Sequence, residues 1–202
     1  EEFKNSNMET VIKTMTGLAD ICYFSARKLS SSRGGGICTD SLEIFRELEA
    51  FVPLYEGFLT YGGMSIREVE AMAVGLYETL DETIISQSPT FIKYLVEQLD
   101  NKGIPVIKPA GVLGVHVDAM QVCAHIPQTQ YPAGALAAAL FLIAGIRGME
   151  RGSISNQRDE YGNETYADME LVRLAVPRRV FTLSQIKYVE DRMTWLYQNR
   201  EL

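Results

Sequence analysis

Lys28 stands between a short apolar run, Ile21-Cys22-Tyr23-Phe24, and the segment Ser30-Ser31-Ser32-Arg33-Gly34-Gly35-Gly36. The apolar run reads as a buried strand and the Ser/Gly segment as a loop. An amine delivered from a strand end into such a loop is placed for chemistry rather than for a solvated surface. Lysine becomes a nucleophile or proton carrier when desolvation and neighbouring cations lower its pKa. Ser25, three residues ahead, raises a second chemistry, a serine nucleophile served by a lysine. That arrangement needs the serine to open a helix, whereas the Ser/Gly run that follows is a poor helix, and no Lys-Thr-Gly element occurs. Arg173 lies inside the apolar run Leu171–Val176. A guanidinium there is costly unless it meets an anion, either a ligand or a carboxylate such as Glu170.

The elements that must position these residues are legible as alternating helices and short strands, an α/β pattern. Ser6 with Glu9 is a capping box for a first helix, which runs into the strand at Ile21–Phe24. Asp40 opens a second helix that Pro53 is expected to end, and Ser65 with Glu68 caps a third. A break at Ser86–Pro89 is followed by an amphipathic helix carrying Phe91, Tyr94, Leu95 and Leu99, stopped at Asn101-Lys102-Gly103. Strands are expected near Ile104–Ile107, Val112–Val117, Ile146–Met149 and Leu171–Val176. Pro132 starts an alanine-rich helix to Gly145, Ser153–Asp168 reads as a polar loop, and Thr182 with Gln185 caps the last helix.

Composition narrows the partners. The 202 residues carry a net charge of -7, with 47% apolar and 22% charged residues, which suits a globular chain and not a binder of nucleic-acid backbones. Cys22, Cys38 and Cys123 are odd in number and lack CxxC spacing, so free thiols in a reducing compartment are expected. No signal peptide is visible, and the longest apolar run, Ala133–Gly145, is short of the roughly 20 residues that span a bilayer. The expected address is the cytoplasm, with no membrane and no nucleic-acid partner.

Four separate segments, in order, resemble the β-eliminating lyases, the family of tyrosine phenol-lyase and tryptophanase. They are Ser25-Ala26-Arg27-Lys28 with its glycine cluster, Tyr55–Gly63 (with Leu59 where the family has proline), Gly145–Gly152 and Val172–Arg179. The resemblance implies an aspartate-aminotransferase-like (type I) fold dependent on pyridoxal 5'-phosphate (PLP). It assigns residues 1–81 to the C-terminal part of the large PLP-binding domain and 82–202 to the small C-terminal α/β domain. Lys28 would carry PLP and move the Cα proton. Ser25 and Arg27 would hold the cofactor phosphate, Arg27 standing where relatives have lysine. Arg173 would clamp the substrate carboxylate, and Arg151 would approach the phenolic end of an aromatic amino acid.

The implied reaction is carbon–carbon β-elimination giving pyruvate, ammonia and the arene. A tryptophanase-type reaction, other PLP chemistry on this scaffold and a non-catalytic partner half stand as alternatives. Leu113 occupies the place of a family histidine, and His116, three residues on, is expected on the wrong side or depth of its strand. Arg33 lies where relatives bind an activating monovalent cation, and its charge could replace the ion's. No metal ligand set is assigned. Family members are about twice as long, so the site is expected to need an N-terminal half, and a homo-oligomer, dimer or tetramer, is implied by the Tyr61-Gly62-Gly63 loop.

Overall fold

The computed structural model describes residues 5–28 and 33–201, with the Lys28 side chain outside that description along with Ser30–Ser32. The chain divides into two compact units, Glu1–Ser86 and Gln87–Leu202.

The first unit contains helices α1 (Met8–Thr16), α2 (Leu42–Tyr55), α3 (Ile66–Glu78) and α4 (Glu82–Ile85). Between α1 and α2 lies an antiparallel hairpin of β1 (Cys22–Ser25) and β2 (Gly35–Cys38). A 3-10 turn, Ala26–Lys28, leaves β1. The expected box at α3 forms: Ser65 accepts from the Glu68 amide, and the Glu68 carboxylate accepts from the Ser65 amide at 3.1 Å. At α1 the cap is Asn7, whose side chain accepts from Thr10 N at 2.8 Å, so Ser6 does not cap it. Ser41, not Asp40, caps α2. Pro53 does not end α2; it removes one donor in the last turn, and Glu56 N still reaches Val52 O at 2.9 Å.

Among the described residues of this unit only Ala26 and Gly75 are buried. Phe45, Phe51, Leu54, Phe58 and Tyr77 are all exposed, so its helices present apolar surface that nothing in the unit covers.

The second unit is a three-stranded antiparallel sheet in the order β3 (Gly114–Asp118), β5 (Leu171–Ala175), β4 (Met149–Arg151). Helices α5 (Gln87–Asn101), α7 (Pro132–Ala144) and α8 (Leu183–Gln198) pack with it, and the one-turn α6 (Ala119–Val122) follows β3. The core is built from Ile92, Leu95 and Leu99 of α5, Leu136 and Leu140 of α7, and Ile186 and Met193 of α8. Val115, Val117, Val172 and Leu174 complete it from the sheet. Strand side chains alternate between faces, so these even and odd pairs leave Gly114, His116, Leu171 and Arg173 for the opposite face.

The expected strand at Ile104–Ile107 is reduced to one bridge, Val106 to Val117. Pro105 has no amide to donate, and only Ile107 N to His116 O (2.9 Å) and Asp118 N to Pro105 O (3.0 Å) tie the segment on. The strand expected at Ile146–Met149 lies instead at Met149–Arg151, which puts Arg151 itself in the sheet. Thr182 and Gln185 form the capping box of α8 as expected. All three cysteines are free. No helix among the described residues is long and apolar enough to cross a membrane.

Candidate functional site

In the first unit, β1 delivers Ser25 and the 3-10 turn delivers Arg27 and Lys28. Ala26 between them is only 1% exposed and anchors the turn, and its amide donates to Gly34 O at 3.0 Å, closing the hairpin base. Ser25 and Arg27 are exposed on either side of that anchor. Close approach of the two strands requires glycine at 35: a Cβ there would lie 2.1 Å from Phe24 O. Within four consecutive residues the sequence offers a hydroxyl at 25, a guanidinium at 27 and an amine at 28, the last on a side chain outside the described ones. Hydroxyl and guanidinium suit phosphate oxygens, and an amine suits a carbonyl carbon, so the residues present fit PLP. Arg33 lies nearby in sequence with its Nε 3.9 Å from the Glu68 carboxylate, the same carboxylate that caps α3.

In the second unit, a concavity of about 460 Å³ opens on the face of the sheet turned from the core. Arg173 and Arg151 both line it, with Leu113, Gly114, His116 and Leu171. The register explains the grouping: His116 is directly opposite Arg173, and Leu171 is directly opposite Arg151. His116 therefore shares the face of Arg173, correcting the expectation that it lies on the wrong side. Burial pushes the His116 imidazole below its ordinary value, and the positive charges of Arg173 and then Arg151 push it the same way.

Neither arginine makes an ion pair among the described residues. Glu170, the carboxylate beside Arg173 in sequence, turns elsewhere and is fully buried. Its Oε1 accepts from Ser153 N at 2.8 Å and from Gln128 Nε2 at 3.3 Å, while Oε2 has no hydrogen-bond partner. Gly152 packs against it so closely that a Cβ there would sit 2.1 Å from Oε2. Glu170 thus fastens the two residues that follow Arg151. Two guanidiniums and an imidazole line one open concavity beside apolar side chains, a set of groups whose chemistry suits anions.

The sequence names His116 as misplaced and Glu170 as a partner for Arg173, and it is their actual roles that motif reading misses. The Val115–Val117 alternation places His116 on the non-core face of its strand, but only the β3–β5 register makes that the face of Arg173.

Helices and strands in this order form an α/β fold of the aspartate-aminotransferase-like (type I) class. Over 90% of the chain, it superimposes on 47% of 8-amino-7-oxononanoate synthase from Francisella tularensis, with a TM-score of 0.55 at 16% identity. A model of the beta-eliminating lyase family matches residues 3–192, and the chain belongs to that family. It is 36% identical to a tyrosine phenol-lyase of Pasteurella multocida over 99% of this chain and 44% of the relative. It is 40% identical to a tryptophanase of Salinibacter ruber over 93% of this chain and 40% of the relative. The chain spans less than half the length of these curated relatives.

Proposed function

We propose that this chain is part of a PLP-dependent lyase that cleaves the Cβ–ring bond of an aromatic, phenolic L-amino acid, with water consumed and pyruvate, ammonia and the arene released. The observation that carries this reading is the concavity lined by both Arg151 and Arg173, neither of which pairs with a carboxylate among the described residues. Bound PLP would act as the electron sink that makes the Cα proton removable and the Cβ–ring bond breakable.

The chain's own residues divide the remaining work. Ser25 and Arg27 hold the cofactor phosphate, and Lys28 carries the cofactor and accepts the Cα proton. Arg173 binds the substrate carboxylate in a bidentate fork. Arg151 donates to the phenolic oxygen, where negative charge grows as the ring leaves. Leu113 and Leu171 line the concavity as its apolar part. Arg33, held against Glu68, supplies positive charge where relatives use a monovalent cation. A tryptophanase-type reading draws on Leu113, an apolar residue in the place of the family's histidine, but Arg151 opposes it. An unpaired guanidinium beside an indole edge costs several kcal/mol of desolvation.

The uncovered apolar faces of the first unit fit the C-terminal part of a larger cofactor domain, completed by an N-terminal half and by a second copy in a dimer or tetramer. In that reading residues 1–81 belong to the large domain and 82–202 form the small domain. An absorbance spectrum tests the core of the proposal. The PLP-loaded protein should show a band near the visible edge that bleaches with borohydride, and Lys28→Ala should lack that behaviour and turnover. Phenolic amino acids should be cleaved in preference to tryptophan, with Arg151→Ile eroding the preference. Full turnover by Lys28→Ala, or tryptophan as the faster substrate, would refute the corresponding part.

A further inference from the structure

We infer that His116 is a second anion-binding group of the Arg173 site, contacting the substrate carboxylate and making its affinity depend on pH. The inference rests on the reading that Arg173 binds that carboxylate.

The geometry carries it. His116 and Arg173 are directly opposed across β3 and β5, which places their Cβ atoms about 5 Å apart on one face. Both line the same concavity, so an anion seated on the guanidinium lies within reach of the imidazole. Arg151 is on the far side of β5, opposite Leu171 and diagonal to Arg173, and so points the other end of a ligand away from His116.

The ionisable groups on that face are few. Arg173 comes from β5 and Arg151 from β4, while Asp118 on His116's own strand is engaged by Gln121, accepting from its amide at 3.2 Å. On the other edge of β3 the Ile104–Ile107 segment brings no ionisable side chain, and Lys108 is bound to Asp100 at 2.9 Å. The empty site therefore presents a neutral imidazole held down by burial and by two positive neighbours. A carboxylate on Arg173 cancels the nearer of those charges and offers a direct acceptor. Protonation of His116 then accompanies binding, and the anion gains a second charge-assisted hydrogen bond. A substrate lacking the carboxylate gains neither.

The test compares L-phenylalanine with L-phenylalaninamide, which lacks the negative charge, on the PLP-loaded protein. Calorimetry in two buffers of different ionisation enthalpy counts protons taken up on binding. The two ligands' α-amino groups differ in pKa, so the count is read as the change that His116→Gln makes: near pH 7 the variant should take up fewer protons than wild type with L-phenylalanine and the same number with the amide. At pH 6 the same variant should bind L-phenylalanine about tenfold more weakly, and the amide within about twofold of wild type. His116→Asn repeats the measurement with a smaller amide, so the reading stands even if His116→Gln folds poorly. Arg173→Lys separates the two layers. If it leaves L-phenylalanine affinity unchanged, the carboxylate reading of Arg173 falls and this inference with it. If Arg173→Lys weakens L-phenylalanine while His116→Gln alters neither affinity nor proton uptake, the inference alone is overturned.

Discussion

Replacing Glu170 with alanine tests how the buried carboxylate holds Arg151 in place. Three effects contribute. Ser153 N loses the acceptor it reaches at 2.8 Å, and a buried donor left alone costs about 1–3 kcal/mol. Gln128 is spared, because its amide also donates to Ala167 O at 2.7 Å and Ser153 Oγ at 3.2 Å. Loss of one buried methylene adds about 0.8 kcal/mol. Against this, Oε2 is buried with no hydrogen-bond partner, so removing it returns part of its desolvation cost. The net loss should be about 1–3 kcal/mol, large beside a typical surface substitution. Glu170→Gln should recover most of it, since the amide oxygen can take the Ser153 bond. The consequence for function is local. Ser153 is two residues from Arg151, and Arg151 is held in register only at the end of a three-residue strand. Urea unfolding of the two variants measures the stability, and kcat/KM for a phenolic substrate against tryptophan measures the position of Arg151. A loss below about 0.5 kcal/mol for Glu170→Ala, with substrate preference unchanged, would refute the argument.

Two further predictions follow from single contacts. Glu190 joins α8 to α5: burial works against its ionisation, but Lys102 Nζ at 2.6 Å and Tyr94 OH at 2.8 Å outweigh it and hold the carboxyl below its usual value. Because the folded value is lowered, this stabilisation is present above the unfolded value of about 4.3 and lost as pH falls through the folded one. Unfolding midpoints should therefore drop more between pH 6 and pH 3 in wild type than in Glu190→Gln, and equal drops would refute the assignment. Arg173→Lys keeps the charge but not the fork, so it should raise KM for the amino acid about tenfold or more. Its thermal midpoint should be unchanged, because the side chain makes no ion pair among the described residues, and a large drop would mean a structural role.

Sequence patterns located elements whose cause is local. The Ser65–Glu68 and Thr182–Gln185 boxes needed only residues three apart, and both form. Local rules misled where two signals competed, as with Ser6 against Asn7, or where one lost donor was tolerated, as at Pro53 in α2. At the candidate site, Arg173 was legible as a cation in an apolar stretch, and Arg151 only through the resemblance of its segment to the family. Their meeting with His116 was not, because it depends on the pairing of residues near 116 with residues near 173, and nothing within either strand specifies that register. Glu170 was weighed as a partner for its sequence neighbour Arg173, but the strand's alternation sends the two side chains to opposite faces.

That alternation has a consequence for how such a chain can diversify. In β5, positions 172 and 174 fill the core while 171 and 173 line the concavity. Parity thus separates two sets of sites that can be edited independently. Exchanges at odd positions retune the ligand without disturbing packing, and exchanges at even positions retune packing without touching the ligand. A one-residue insertion or deletion in the strand does both kinds of damage together, driving a guanidinium inward and valine outward. Across a set of descendants, length changes should accumulate in the exposed stretch 156–166 and be absent from 171–175, while residue 173 stays fixed as long as the substrate is an amino acid and changes of its far end fall on residue 151.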